Sequence, residues 1–470
     1  MMNILLINPP SKELHQVFFP LGLAHVAGAL VKGGHEVTVW DINAERWSRE
    51  EALKKFEQQT GAFSLVGITA LSGDYPYVKW FTRSIKKIDP GQKVVMGGHL
   101  ASALPEFLMD RLPIDFLVRG EGDETVVRLV ETLERDSDPG QVKGICYRTQ
   151  EGEVRSTAPR PLISDLTQLP PLPWDLFPMH IYLGEAHRGF NEYGNRQDSG
   201  LMSIMASRGC PFRCLYCDHT IKGFRPRYRP AGEVILEIKT LLERYGERIK
   251  TFYFWDDILV WDRAWAKEFC EGLSQEGLDI RWSCNAHVSA VEYSLMSLMR
   301  ETGCWNVRFG IESGSQRILD SLNKGVRVEQ ALEALNTCLE AGLTLTLYVM
   351  VGMEGESHET VKETIDFFER LIRPINVYQF NKIHFFMLTP FPGTELFNRV
   401  CREGLVQDVD EFLTRGCDAH FDIPLNISGC PDQVLVGLKQ ELEREVSLII
   451  EDRKNHLHNV LFDIKRKMER

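Results

Sequence analysis

Three cysteines in the middle of the chain are spaced closely enough to bind one small metal centre. Cys210, Cys214 and Cys217 stand in the stretch RGCPFRCLYC. Thiolate is the soft ligand that iron–sulfur clusters take. Three thiolates leave one iron of a four-iron cluster open, and an open iron can chelate a small molecule. We therefore expect these cysteines to hold a [4Fe-4S] cluster.

A structural zinc site is the alternative use of the same stretch. His219 follows Cys217 and could complete a set of three cysteines and one histidine. Zinc sites, however, usually bring two separated pairs of ligands, so the compact triplet favours the cluster. The other cysteines, among them Cys401, Cys417 and Cys430, show no compact spacing. We interpret them as ordinary buried thiols rather than ligands of a second cluster.

Further residues that could contact an organic ligand lie beside the triplet and behind it. Tyr216, next to a cluster ligand, offers an aromatic surface for a purine. A carboxylate such as Glu312 at the end of a strand can pair with an ammonium group or accept ribose hydroxyls. Gly352 permits close approach of the backbone to a ligand. Each signal is weak alone, but their order along the chain predicts a ligand site beside the cluster.

The elements that must position these residues begin with an N-terminal region, residues 1–150. Short apolar segments alternate there with helix-like stretches, and the segments are residues 3–7, 37–40, 65–70, 93–96 and 116–118. Strands buried on both faces between helices indicate an α/β domain with a parallel, doubly wound sheet of the Rossmann or flavodoxin-like kind. Residues 151–200 are rich in proline and lack periodicity, which predicts an extended linker.

The alternation of strands and helices resumes after the linker. Residues 201–400 contain about six strand and helix units. This number predicts a partial (β/α)6 barrel of the TIM type, with its reactive end at the carboxyl ends of the strands. Residues 401–470 are helical in pattern and highly charged toward the end, which predicts a C-terminal helical region.

The strand ends of the N-terminal sheet form a second candidate site. Ligands of such sheets bind in the crevice outside the carboxyl ends of the strands. Small residues at four successive strand ends would make a broad floor for a large flat ligand such as a flavin or a nucleotide, or the floor could be empty. A phosphate loop is excluded because the carboxylate of Glu121 would repel phosphate. The candidate residues are Asn8, Thr69, Leu71, Ser72, Gly73, Gly97, Gly98, His99, Gly120, Glu121, Gly122 and Glu124.

Composition limits the class of protein. The chain has 470 residues, which corresponds to two or three domains, and a net charge of -12 without a basic block, which disfavours nucleic acid as a partner. No run approaches the ~18 apolar residues of a transmembrane segment, and the N-terminus lacks the features of a signal peptide. An odd count of 11 cysteines argues against a disulfide framework. The cytoplasm is the expected compartment.

The CxxxCxxC spacing at the end of the first barrel strand resembles the radical S-adenosylmethionine (SAM) superfamily. The resemblance continues through four segments that match its second-, fourth-, fifth- and sixth-strand motifs: residues 252–257 (FYFWDD), 309–315 (FGIESGS), 351–356 (VGMEGE) and 389–394 (TPFPGT). It implies that the open iron binds SAM and that an external electron donor, such as flavodoxin or ferredoxin, drives cleavage to a 5'-deoxyadenosyl radical. The implied SAM contacts are Tyr216, Asp256, Asp257, Glu312, Ser313 and Gly352.

One departure from the superfamily lies in the third strand. Relatives often carry an arginine in this segment, whereas this chain has WSCNAH at residues 282–287. His287 could face the substrate, but a polar core residue is the simpler interpretation.

The N-terminal region resembles the cobalamin-binding domain that precedes the radical domain in cobalamin-dependent radical SAM enzymes. The matching segments are NPP, PLGLAHVAGAL, GITALSG, VMGGHLAS and VRGEGDET. The DxHxxG motif that supplies a histidine to cobalt is missing. The resemblance therefore implies base-off cobalamin with no histidine below the metal and with the loop of residues 71–73 near the lower face. His99 is expected to contact the nucleotide tail.

Together the two resemblances imply a cobalamin-dependent radical SAM methyltransferase that acts on an unactivated carbon of a small-molecule or lipid-like metabolite. A cyclase, ring-rearranging enzyme or oxidase of the same class is the first alternative. A transfer RNA methylthiotransferase would need a cysteine-bearing N-terminal domain, but only Cys146 precedes Cys210. A noncatalytic metal-binding regulator would hold a cluster that fails to cleave SAM.

Overall fold

The N-terminal part of the chain forms a sheet of seven strands. The structure, a computed structural model, describes residues 1–10, 18–184, 200–221, 223–415 and 425–468. Cys417 and part of the expected linker lie outside these residues. The strands are β1 (Asn3–Asn8), β2 (Glu36–Asp41), β3 (Leu65–Thr69), β4 (Val94–Gly97), β5 (Phe116–Val118), β6 (Ile145–Arg148) and β7 (Val154–Ser156).

The strand order of this sheet confirms the doubly wound prediction. The order is β2-β1-β3-β4-β5-β6-β7, and the first five strands are parallel. An order of 2-1-3-4-5 is that of flavodoxin-like folds, whose ligands bind where the order reverses. The antiparallel strands β6 and β7 extend the sheet beyond residue 150 and were not predicted. The helices are α1 (Leu21–Lys32), α2 (Ile42–Glu45), α3 (Arg49–Gln58), α4 (Tyr75–Ile88), α5 (His99–Ala103), α6 (Pro105–Arg111) and α7 (Gly122–Glu134).

A short hairpin separates the first and second strands of the region that follows. After helix α8 (Met179–Tyr182) and strand β8 (Gly200–Ile204), strand β9 (Ser207–Arg208) pairs with β10 (Arg227–Tyr228) in antiparallel register. The residues between β9 and β10 contain the three cysteines, and we call residues 209–226 the cysteine loop. The loop is therefore held at its two ends by backbone pairing.

The second sheet is an open barrel of six parallel strands. Its order is β15-β14-β13-β12-β11-β8, so β8 and β15 are the two edges. This arrangement confirms the predicted partial barrel. The remaining strands are β11 (Ile249–Phe254), β12 (Arg281–Ala286), β13 (Cys304–Glu312), β14 (Thr344–Val351) and β15 (Phe380–Met387). The helices between them are α9 (Ala231–Tyr245), α10 (Arg263–Gln275), α11 (Tyr293–Glu301), α12 (Gln316–Ser321), α13 (Val328–Glu340) and α14 (His358–Leu371).

Helical periodicity explains how the barrel helices pack. In α9 the buried residues Val234, Ile238 and Leu241 recur at spacings of four and three, so they form one apolar face toward the sheet. The C-terminal region is helical as predicted, with α15 (Glu395–Arg402), α16 (Val409–Arg415) and α17 (Asp432–Met468). Helix α17 buries Leu435, Leu438 and further apolar residues in the same core as the barrel. None of the described helices has the length and apolar content that a membrane span needs.

A buried network of charges joins the start of α7 to the hairpin of β9 and β10. Arg208 donates to the Asp123 carboxylate at 2.9 and 3.1 Å and to Glu121 at 3.2 Å. Glu121 also pairs with Arg227 at 3.0 Å and accepts the backbone N–H of Ile163 at 2.7 Å. Burial alone would raise the pKa of Asp123, but the charge and hydrogen bonds of Arg208 bring it below its ordinary value. The hairpin that carries the cysteine loop is thus fixed to the N-terminal sheet.

We expect Asp123→Asn to lower the free energy of unfolding by about 3–5 kcal/mol, because it leaves the buried Arg208 without its main counter-charge. Chemical denaturation followed by circular dichroism measures the change. The matched control is Glu131→Gln, which removes an exposed pair with Arg128 and should change stability by no more than about 0.5 kcal/mol.

The same substitution should alter the pH dependence of stability. The folded pKa of Asp123 is lowered, so its contribution is complete above the unfolded value of about 3.9 and is lost as the pH falls through the folded value. Asp123→Asn should remove this acid-side loss. An unchanged acid limb, together with unchanged stability, would contradict the role given to the pair.

Candidate active site

The cysteine loop lies at the carboxyl end of β8, where the barrel's reactive end is expected. Cys210 and Cys214 are buried and Cys217 is half-buried. The N–H of Cys217 donates to the carbonyl of Cys214 at 3.1 Å, which turns the chain between these two cysteines. The described side chains form no compact group of three or more His, Cys, Asp or Glu around a single-ion site. The three thiols on one loop therefore match a cluster by their donor chemistry.

Asp256, a predicted SAM contact, supports the backbone that enters the cysteine loop. Its carboxylate accepts the N–H of Ala206 at 3.1 Å, the N–H of Ser207, and the Ser207 hydroxyl at 2.5 Å. Burial raises the pKa of Asp256 to about 6, although these hydrogen bonds oppose the rise. Its oxygens are thus engaged within the protein. The neighbouring Asp257 instead lines the cavity described below.

Tyr216 and Glu312, two further predicted SAM contacts, meet in a buried group with Lys324. The Tyr216 hydroxyl donates to Glu312 Oε1 at 2.7 Å, and Lys324 Nζ donates to the same oxygen at 2.9 Å and to Tyr216 Oη at 3.0 Å. Among the residues that the structure describes, both side-chain hydrogen bonds to Glu312 end on Oε1. Glu312 has φ of +66°, and a Cβ at Gly310 would lie 2.2 Å from its Oε1. The carboxylate therefore folds back over Gly310, and a side chain at position 310 would displace it.

Lys324 was not predicted from the sequence. It stands in an Asn-Lys-Gly turn after α12, where a lysine is ordinarily solvated, and only its burial in the structure reveals its role. Burial alone would lower the pKa of Lys324, but the charges of Glu312 and Cys214 raise it above its ordinary value. Burial and the charge of Glu312 likewise raise the pKa of Tyr216.

Ser313 and Gly352 shape the backbone around this group. The Ser313 hydroxyl contacts Thr364 Oγ1 at 3.1 Å and accepts the N–H of Ser315 at 3.1 Å. Gly352 has φ of +119°, and its N–H donates to the buried Glu356 at 3.1 Å. Both residues thus have partners within the fold, and their contribution to a ligand would come through the backbone they position.

A cavity of about 350 Å³ lies between the N-terminal sheet and the cysteine loop. Its volume falls in the roughly 300–1,000 Å³ range of small-molecule sites. From the barrel side, Arg208, Gly209, Trp255 and Asp257 line it. The predicted cobalamin contacts that line it are Thr69, Leu71, Gly97, Gly98, His99, Gly120, Glu121 and Gly122. The cavity therefore adjoins the start of the cysteine loop and the end of β11, whereas the three cysteines, Tyr216 and Glu312 are not among the described residues that line it.

The floor of the cavity is made by small residues, as expected. A Cβ at Gly97 or Gly120 would meet no atom within 4 Å, so both positions face open space. At Gly98, with φ of +93°, a Cβ would lie 2.8 Å from Thr69 Oγ1, so this glycine serves close packing of the strand ends. The side chain of Leu71 is 56% exposed at the rim and offers an apolar surface.

Four predicted cobalamin contacts are not among the residues that line the cavity in the described structure: Asn8, Ser72, Gly73 and Glu124. Asn8 donates to Asp41 at 2.9 Å, and Glu124 pairs with Arg160 at 3.4 Å. Glu121 lines the cavity, but its carboxylate is committed to Arg208 and the neighbouring Arg227.

Two histidines border the cavity. His99 Nδ1 lies 2.7 Å from Asp218, the residue that follows Cys217, and so connects the N-terminal sheet to the cysteine loop. Burial would raise the pKa of Asp218, but bonds from His99 and Thr220 hold it below its ordinary value. The second, His25, is buried on α1 and was not among the predicted contacts. Burial and then the charge of Arg208 lower the pKa of His25 to about 3.

His287, at the end of β12, stacks on Phe212 of the cysteine loop. The ring centroids are 3.7 Å apart, and Nδ1 accepts the N–H of Ser289 at 3.3 Å. Burial lowers the pKa of His287 to about 3. The neutral imidazole therefore packs against the loop from the barrel side.

Comparison with known proteins matches both halves of the chain. Residues 204–368 match the radical SAM superfamily, and residues 12–130 match the B12 binding domain. The chain is 33% identical to the uncharacterized methyltransferase PH0819 of Pyrococcus horikoshii over 86% of this chain and 84% of that protein. It is 27% identical to the anaerobic magnesium-protoporphyrin IX monomethyl ester cyclase of Rubrivivax gelatinosus over 87% of this chain and 72% of the cyclase.

A solved structure shares the fold. The radical SAM methyltransferase TsrM of Kitasatospora setae, with tryptophan substrate and a SAM analogue bound, superposes with a TM-score of 0.70 at 21% identity. The match covers 86% of this chain and 77% of TsrM. The sheet order, the cysteine loop and the family matches agree, and the chain belongs to the radical SAM superfamily as a cobalamin-dependent radical SAM enzyme.

Proposed function

We propose that this enzyme transfers a methyl group to an unactivated carbon of a small-molecule or lipid-like metabolite. The observation that carries the proposal is the cavity between the N-terminal sheet and the cysteine loop, which Gly97 and His99 line together with Gly209 and Asp257. A substrate in this cleft would lie between the cluster and the corrin. The similarity to the Pyrococcus methyltransferase and the fold of TsrM support the same reaction class.

The chain's own residues would bind and orient the cofactors. Cys210, Cys214 and Cys217 would ligate the cluster, and Glu312 Oε2 would accept the ammonium group of SAM. The apolar side chain of Leu71 and the glycine floor would hold the corrin and exclude water. When bound, the cluster and SAM supply a hydrogen-abstracting radical, and cobalamin supplies a transferable methyl group.

The chemistry of the reaction also suggests an electron donor, a cell compartment and a class of substrate. Because cluster reduction consumes an electron, we propose an external donor such as flavodoxin or ferredoxin. Thiols that must remain reduced favour the cytoplasm, where disulfides are rare. The net charge of -12 favours a small substrate over nucleic acid.

A cyclase of the same class is the second candidate, favoured by the 27% identity to the Rubrivivax cyclase. Incubation of reduced enzyme with methyl-deuterated SAM and candidate metabolites separates the two. Methyl transfer would add deuterium label to the product. Cyclisation would yield an unlabelled product of altered mass.

We expect Cys214→Ala to abolish reductive cleavage of SAM, because the cluster loses one of its three ligands. Mass spectrometry of the 5'-deoxyadenosine formed after anaerobic reduction measures the cleavage of SAM. The wild-type protein should contain about four irons per chain. Cys401→Ala, outside the cysteine loop and half-buried, is the matched control and should retain cleavage. Wild-type cleavage by Cys214→Ala would refute the cluster assignment.

Glu312→Gln should weaken SAM binding by roughly 10- to 150-fold, the equivalent of about 1.5–3 kcal/mol for a hydrogen bond to a charged group. Calorimetric titration of cluster-loaded protein measures the dissociation constant. The control is Glu329→Gln, whose carboxylate pairs with Arg370 on the surface. If affinity is unchanged while iron content is intact, Glu312 has only a structural role.

The wild type reconstituted with hydroxocobalamin should show a base-off absorption spectrum, and His99→Ala should leave that spectrum unchanged. Gly97→Leu should abolish binding by filling the floor. Gly97 is a cleaner test than Gly120, whose φ of +74° would add backbone strain. Gly232→Leu, at another open position outside the cavity, is the control. Retention of cobalamin by Gly97→Leu would contradict the floor, and failure of the wild type to bind any would contradict the methyl-transfer mechanism.

A further inference from the structure

The turn that carries Lys324 forms hydrogen bonds with the middle of the cysteine loop. The N–H of Leu215 donates to the carbonyl of Leu322 at 3.1 Å, and Asn323 Nδ2 donates to the carbonyl of Arg213 at 2.8 Å. Lys324 Nζ then reaches the hydroxyl of Tyr216 at 3.0 Å. Three successive residues of one turn thus contact the stretch of loop that surrounds Cys214.

The backbone of this turn is built for the contact. Asn323 has φ of +52° and Gly325 has φ of +67°, both in the left-handed region. Asparagine and glycine tolerate this conformation better than other residues. The turn therefore directs the Lys324 side chain into the protein. A lysine in an extended surface loop would instead point to solvent.

The ammonium of Lys324 is held by the protein in a fixed place. It is 8% exposed and bonds Glu312 Oε1 at 2.9 Å, while Glu312 is 5% exposed. Tyr216, whose hydroxyl it contacts at 3.0 Å, stands between Cys214 and Cys217 in the cysteine loop. Burial of an unpaired ammonium group costs free energy, and Glu312 provides the counter-charge that offsets this cost.

We infer that Lys324 is a positioning residue whose charge, balanced by Glu312, sets the reduction potential of the bound cluster. Reduction by one electron adds a negative charge to the cluster, and a nearby positive charge stabilises that state. The interaction between buried charges is stronger than between exposed ones, because the effective dielectric constant is lower in the interior. Net charge and hydrogen bonding near the sulfurs are known determinants of cluster potentials.

This inference rests on the proposed cluster site, and it makes opposite predictions for the two partners. Lys324→Met removes the positive charge and leaves Glu312 uncompensated, so the midpoint potential should fall. Glu312→Gln removes the negative charge, so the potential should rise. The double variant restores a neutral pair and should return close to the wild type. We expect each single change to alter the equilibrium constant for reduction at least about tenfold, equivalent to about 59 mV for one electron.

An anaerobic redox titration of the cluster without SAM, followed by electron paramagnetic resonance, measures these potentials without any methyl transfer. Iron content is determined for each variant, and Lys324→Arg retains the charge and should stay near the wild type. Lys362→Met, which breaks an exposed pair with Asp366, is the control for a distant lysine.

The outcomes separate the inference from the assignment of the site. A wild type that holds no cluster would refute the proposed function itself. With the cluster present, equal potentials in Glu312→Gln and the wild type would overturn the inference. A shift of the midpoint potential in the same direction in Glu312→Gln and Lys324→Met would also overturn it. Such a result would indicate a structural disturbance, because an effect of charge has opposite signs in the two variants. Should Lys324→Met fail to assemble a cluster, Glu312→Gln and Lys324→Arg still decide the matter.

Discussion

The rest of the site depends on the restraint of one short loop by buried charges. Arg208 at its entrance is held by Asp123 of α7 and by Glu121, which directly precedes that helix. Asp218, after the last cysteine, is held by His99 at the start of α5. The buried charges of Arg208, Asp123 and Glu121 are paired with one another, and the hydrogen bond between His99 and Asp218 holds the loop after Cys217.

This restraint links the two halves of the enzyme. The strand ends of a flavodoxin-like sheet and of a parallel barrel are both ligand-binding edges, and here they face each other across one cavity. The same residues that fasten the cysteine loop, Arg208 and His99, line that cavity. A cluster on one side and a corrin on the other would therefore be positioned by a single set of contacts.

The sequence predicted the parts of this arrangement that depend on local pattern. The alternation of strands and helices predicted both sheets, and the spacing of the cysteines predicted one common metal site. It did not reveal partners that lie far apart in the chain: Lys324 meets Tyr216 108 residues away, and Glu121 meets Arg208 87 residues away. For the same reason Asp256 and Glu121 looked available to ligands, although the fold engages their carboxylates. The antiparallel edge of β6 and β7 was missed because short edge strands carry little periodic signal.

The central claim is that cluster and cobalamin share one cleft of one chain, and their magnetic interaction tests it most directly. Protein loaded with both cofactors is reduced until cob(II)alamin and the reduced cluster coexist, and pulsed electron paramagnetic resonance records the dipolar coupling between them. The account predicts a coupling that broadens the cobalt signal and disappears when the cluster is reoxidised. Two independent, unbroadened signals in doubly loaded protein would contradict it.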